Sequence, residues 1–160
     1  MRSGAPVDEF STLVVIASTR KTTAMDYRVE WGGSPQDVTV RTSGTASAAG
    51  ALAVMRELAE DERYQSGLKI PIDHSELQPS EYSPDDMDTQ IDFAAAMGAK
   101  LLPAFCAIVA SKPVIYGLSR VWEAEIGGVT EATTRLFHNK EEAIAWLRKV
   151  DVGCEDASGV

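Results

Sequence analysis

Apolar and polar residues alternate along Tyr27-Arg28-Val29-Glu30-Trp31, the two-residue period of a strand with one buried face. Gly32-Gly33-Ser34-Pro35 is a turn cluster, and Val38-Thr39-Val40-Arg41 alternates again, so the two runs predict a hairpin. From Ser47 to about Tyr64 the period lengthens to that of a helix. Ala48, Leu52, Met55, Leu58 and Ala59 share one face, Thr45 or Ser47 can cap the start, and Gly67 closes the end. Leu68 to Ile72 reads as an apolar strand that ends at Asp73 and runs into a polar loop, His74 to Tyr82. Ser83-Pro84-Asp85-Asp86 then combines an N-cap hydroxyl, proline at the first helical position and acids in the first turn. Met87, Ile91, Ala94 and Ala95 form the stripe of that helix, and Gly98 ends it.

Phe105 to Ala110 is continuously apolar, as a strand covered on both faces should be. Ser111-Lys112-Pro113 opens another helix, with Val114, Leu118, Val121, Trp122 and Ile126 at helical spacing and Gly127-Gly128 as its stop. Thr133 to Phe137 is a short strand, and Asn139 caps a last helix in which Ala143, Trp146, Leu147 and Val150 share a face. The order ββαβαβαβα predicts an α/β protein: a single domain with a mixed sheet of about five strands and about four helices. Strands that follow helices should lie parallel to earlier ones, with right-handed crossovers. Residues 1–24 read as a leader, weakly structured or adding an edge strand at Thr12–Ile16, while Ser18 to Thr23 shows no period. Residues 25–150 form the domain and 151–160 a flexible tail.

The net charge of −9 repels phosphate backbones and anionic lipid heads, which argues against nucleic acid and polybasic membrane docking. Lys and Arg are scattered rather than clustered. Of the two cysteines, Cys106 lies in an apolar run and Cys154 in a polar tail, so the expectation is reduced thiols and a cytoplasmic location. The early apolar run Leu13–Ala17 is too short for a signal segment or a membrane span.

No catalytic, metal or nucleotide motif stands out, and no cofactor is expected. Asp73-His74-Ser75 holds the residue types of a hydrolase triad, but neighbours on an extended segment point to opposite faces. The histidines and cysteines lack zinc spacing. Asp85, Asp86 and Asp88 lack the glycine and terminal glutamate of a calcium loop. Two constellations remain. Strand ends at His74-Ser75, Ser111-Lys112 and His138-Asn139-Lys140 would form a polar, partly basic crevice if the strands lie side by side. Met87, Ile91, Met97, Phe105, Tyr116 and Trp122 would wall an apolar space under the two middle helices, methionine keeping such walls adaptable.

From Tyr27 to Leu147 the chain resembles the SpoIIAA-like family of small bacterial STAS/SEC14-type proteins. The residues that carry the resemblance are Lys69-Ile70-Pro71-Ile72-Asp73, then Cys106-Ala107-Ile108-Val109-Ala110 before the helix with Trp122. Arg135-Leu136-Phe137 before Glu141-Glu142-Ala143-Ile144-Ala145-Trp146-Leu147 completes the set. The resemblance implies a non-enzymatic regulatory module that binds a protein partner, with Tyr82, Ser83 and Ser75 at the contact. STAS proteins that antagonise anti-sigma factors are phosphorylated at a serine in an Asp-Ser-Ser-Gly segment at a helix start. Ser83 falls near that place, although the second serine and the glycine are absent. The SEC14 side implies instead a carrier of an apolar small molecule, in a pocket lined by Met87, Ile91, Tyr116 and Trp122. Exposed apolar surface can equally serve a homodimer.

Overall fold

The computed structural model describes residues 16–21, 25–32, 38–79, 82–100 and 103–150. The start of the expected leader, most of the Gly32–Pro35 turn and the whole tail with Cys154 lie outside them.

Six strands form one sheet whose spatial order, β1 to β6, equals their order in the chain. Strand β1 (Ile16–Lys21) pairs antiparallel with β2 (Met25–Trp31), and β2 antiparallel with β3 (Val38–Thr45). Strands β4 (Leu68–Gln78), β5 (Ala104–Val109) and β6 (Thr133–Phe137) follow in parallel. The expected five-stranded mixed sheet is β2 to β6, and β1 adds an edge. That edge strand includes Ser18–Lys21, which have no strand period; of the expected Thr12–Ile16 only Ile16 is among the described residues, and it begins β1. An edge strand gains its ladder from one neighbour's backbone and needs no alternating pattern of its own.

The connecting helices are α1 (Ala48–Glu60), α2 (Pro84–Met97) and α3 (Pro113–Ile126), with α4 (Lys140–Lys149) after the last strand. The sheet grows in one direction from β3 to β6. Successive crossovers of one hand therefore place α1, α2 and α3 on the same face. Helix α4, the last element among the described residues, covers the other face. Phe105, Ala107 and Val109 of β5 pack there with Ala143, Trp146 and Leu147. On the α1–α3 side, β2 buries Tyr27, Val29 and Trp31, and β3 buries Val38 and Val40, together with Val54, Leu58, Leu68 and Ile70.

Helix starts follow local chemistry. Ser47 and Asn139 each accept a hydrogen bond from an amide of the first turn of α1 and α4. Ser83 and Asp86 cap each other in a reciprocal box at α2. Helix α1 stops at Glu60, well before Gly67, because Asp61 turns extended and its carboxylate ties back to Arg63 at 2.7 and 2.8 Å.

Strand β4 departs most from expectation, since it continues to Gln78 instead of ending at Asp73. Its pairing with β3 passes from Arg41 opposite Asp73 to Ser43 opposite Glu76. Thr42 alone therefore faces both His74 and Ser75, a β-bulge. The extra residue changes the parity of the strand. Ile70, Ile72 and His74 turn to the helix side, and after the bulge Leu77 does so too.

Candidate functional site

Between the sheet and α1, α2 and α3 lies a cavity of about 130 Å³, partly open to solvent. Its walls are mainly apolar and include Met25, Val54, Met55, Ile72, Met87 and Trp122. None of the described residues that line it carries a formal charge with His74 neutral. Besides Ser47, which caps α1, five polar residues line it: Thr42, His74, Tyr82, Gln90 and Ser119.

Each is carried there by regular structure. Thr42 follows Val38 and Val40 in phase on β3 and is only 4% exposed. His74 reaches the same side from β4, and its Nδ1 lies 2.7 Å from Thr42 Oγ1. Thr42 Oγ1 in turn donates to the Asp73 carbonyl at 3.3 Å. Burial pulls the His74 imidazole down to a pKa of about 4 against the opposing charge of Asp73, so it is neutral near pH 7. Gln90 shares the inner face of α2 with Met87 and Ala94 and is 8% exposed. Ser119 lies one turn beyond Ile115 on α3 and is 7% exposed. Tyr82 enters from the segment before α2. Its hydroxyl is buried without a hydrogen-bond partner, and burial, with Asp86 nearby, pushes its pKa up.

The residues expected to wall the pocket divide. Met87 and Trp122 line it, whereas Ile91 and Tyr116 do not. Ile91 sits on the flank of α2, one position past the inward Gln90. Tyr116 lies flat on His138, ring centroids 4.1 Å apart and 2° from coplanar. Phe105 belongs to the other face, edge-on to Trp146 at 6.1 Å. The apolar stripes of α2 and α3 are thus rotated from the expected ones: Val114 and Val121 are exposed while Ile115 and Ser119 are buried.

The strands expected to carry the polar crevice do lie side by side, β4 beside β5 and β5 beside β6, but His74 leaves it. His74 is inside β4, turned into the cavity, and Ser111 and His138 are exposed at their helix starts. What does meet is Lys112 and Ser75, the Lys112 ammonium donating to the Ser75 carbonyl at 2.6 Å. The Ser75 amide donates to Asp73 at 2.9 Å. Burial pushes Asp73 up, but the Ser75 bonds with Lys140 and Arg41 outweigh it and hold the carboxyl below its ordinary value. Ser83 is committed to its cap. Its amide and hydroxyl donate to Asp86 Oδ2 at 2.7 and 3.1 Å, and its oxygen accepts from the Asp86 amide at 3.2 Å. A phosphate there would displace the cap and meet Asp85 and Asp86.

Thr42, Gln90 and Ser119 carried a signal in the sequence. Thr42 is a polar residue in phase with buried valines, and Gln90 sits three residues from Met87 and four from Ala94. As for catalysis, a buried imidazole held near pKa 4 is a weak base, and among the described residues that line the cavity there is no carboxylate to orient it. Burial raises the Cys106 thiol to about 11, against a bond to Thr134, which leaves it unreactive. Among the described residues no three metal-ligating side chains gather, and no helix is long and apolar enough to cross a membrane.

Among solved structures, the chain is similar to an uncharacterized DUF3478-family protein from Shewanella loihica PV-4 with a SpoIIAA-like fold. The TM-score is 0.45 at 15% identity, over 84% of this chain and 94% of that one. No family model matches the chain, and no curated protein does.

Proposed function

We propose that this protein is a non-enzymatic binding module that takes up a small, largely apolar molecule between its sheet and helices α1 to α3. The observation that carries the reading is the cavity itself. It is walled by Met25, Met55, Met87 and Trp122, and its lining holds no charged residue among those described. Burying an apolar ligand there yields about 25 cal/mol per Å² of surface removed from water. Methionine walls adjust to its shape. The placement of Tyr82 supports uptake over a protein contact at this point, since its hydroxyl is turned inward and buried.

Native mass spectrometry of protein taken from its own host, before and after denaturation, tests the reading. A small mass released on denaturation is the expected result, lost in an Ala51→Phe variant that fills the cavity. Bare protein in the native spectrum, together with methyl signals of Met25, Met55 and Met87 that do not move when cyclohexane is added, would overturn it.

A further inference from the structure

The polar atoms of the cavity narrow the class of ligand, and this step rests on the uptake reading above. Thr42 Oγ1 carries a single proton and lies near two partners, the Asp73 carbonyl and His74 Nδ1. The carbonyl can only accept. All three atoms are satisfied when Thr42 donates to Asp73 and His74 Nδ1–H donates to Thr42. The other ring nitrogen, Nε2, is then a bare acceptor on a neutral ring, and the depressed pKa of about 4 agrees with that. Opposite in character is Tyr82, whose buried hydroxyl has a proton to give and no acceptor. The side chains of Gln90 and Ser119, each more than nine-tenths buried, add groups that both donate and accept.

A buried polar atom left without a partner costs about 1–3 kcal/mol. A pure hydrocarbon would leave the Tyr82 hydroxyl unmatched. A carboxylate would set its charge against the Nε2 lone pair, with no cation in the described lining to balance it. A hydroxyl group answers both needs, because it donates and accepts at once. The size is bounded as well, since a dry cavity of about 150 Å³ accommodates one benzene ring. We infer that the ligand is an uncharged, hydroxyl-bearing molecule whose buried part is about one aromatic ring in size. Its hydroxyl donates to His74 Nε2 and accepts from Tyr82 Oη, and its apolar body lies among Met25, Val54, Ile72 and Met87.

Three probes of one size separate the alternatives: p-cresol, toluene and benzoate, titrated at neutral pH into the full chain and followed by methyl NMR. Binding of p-cresol is expected, with toluene about tenfold weaker, the loss of one to two hydrogen bonds, and benzoate without effect. Tyr82→Phe keeps the ring and removes the hydroxyl. It should weaken p-cresol severalfold and leave toluene unchanged. Toluene binding as tightly as p-cresol, benzoate binding more tightly than either, or an unchanged p-cresol to toluene ratio in Tyr82→Phe would each overturn the hydroxyl inference while leaving uptake intact. If none of the three enters the wild-type cavity, the uptake reading falls with it. The wild-type comparison stands by itself even where a variant folds poorly.

Discussion

The two faces of the sheet are covered in different ways. One helix, α4, seals one face, and its buried residues Ala143, Trp146 and Leu147 meet Phe105, Ala107 and Val109 directly. Three helices cover the other face, and the residues they turn inward include Gly50, Gln90 and Ser119. The difference follows from what each helix has to pack against. Helix α4 packs chiefly against strands β4, β5 and β6, so its most apolar stripe points straight at the sheet. Helix α2 packs against α1 on one side and α3 on the other. The apolar residues of such a helix are divided between sheet and neighbours, and the line facing the sheet need not be the most apolar one. Small and polar side chains can then occupy it, and a cavity remains.

The largest test of this contrast is Trp146→Ala. It should cost about 3–5 kcal/mol in urea unfolding and leave the affinity for p-cresol unchanged; a loss of binding would show that the two faces are not independent.

Next comes acid. The folded-state pKa of His74, about 4, lies below its ordinary 6.5, so the unfolded chain binds the proton more readily. Stability from the neutral ring is complete above pH 6.5 and is lost as pH falls from there toward 4. The loss is roughly 3 kcal/mol once pH is below both values. His74→Gln should flatten the unfolding free energy across that window. Asp73, whose pKa is lowered, contributes its own loss only below the ordinary carboxylate range.

A smaller effect is expected of Gly50→Ala. The added Cβ would lie 2.7 Å from Met25 Cβ and 2.6 Å from its sulfur. Since Met25 also lines the cavity, a stability loss of about 1–3 kcal/mol should come with weaker toluene binding. The smallest is Lys112→Met, which removes the 2.6 Å bond from the start of α3 to the Ser75 carbonyl. About 1 kcal/mol of stability should go, with the cavity unaltered.

The same contrast explains what could be read from the sequence. The alternation Tyr27-Val29-Trp31 and the stripe Ala143-Trp146-Leu147-Val150 were legible because each faces a single apolar surface. Ser83 and Asn139 were legible because capping is local. The stripe of α2 pointed to Ile91, where the cavity has Gln90, and the stripe of α3 passed over Ser119, which lies between its Leu118 and Val121. The bulge at His74 was hidden because it arises from pairing with Thr42 on another strand. A polar run between Asp73 and Gln78 looks like a loop until that partner is known. Of the pocket residues only Met87 and Trp122 were found, from the apolar signal. Tyr82 was identified as a contact residue, but no local pattern shows that its hydroxyl is turned inward.

The identity of spatial and chain order in the sheet bears on how the molecule is made. Every strand from β2 onward docks beside its immediate predecessor, so each pairing closes only the short loop of its own unit and no strand must be threaded between two others. The sheet can lengthen as synthesis proceeds, with each new strand covering the edge left by the last. The cavity face is roofed helix by helix during that growth. Phe105, Ala107 and Val109, in contrast, stay uncovered until α4, the last element described, folds over them. In a nascent chain the hazard of sticking to a neighbour therefore belongs to the tightly packed face, and the face that keeps a cavity in the finished protein is the first to be sheltered.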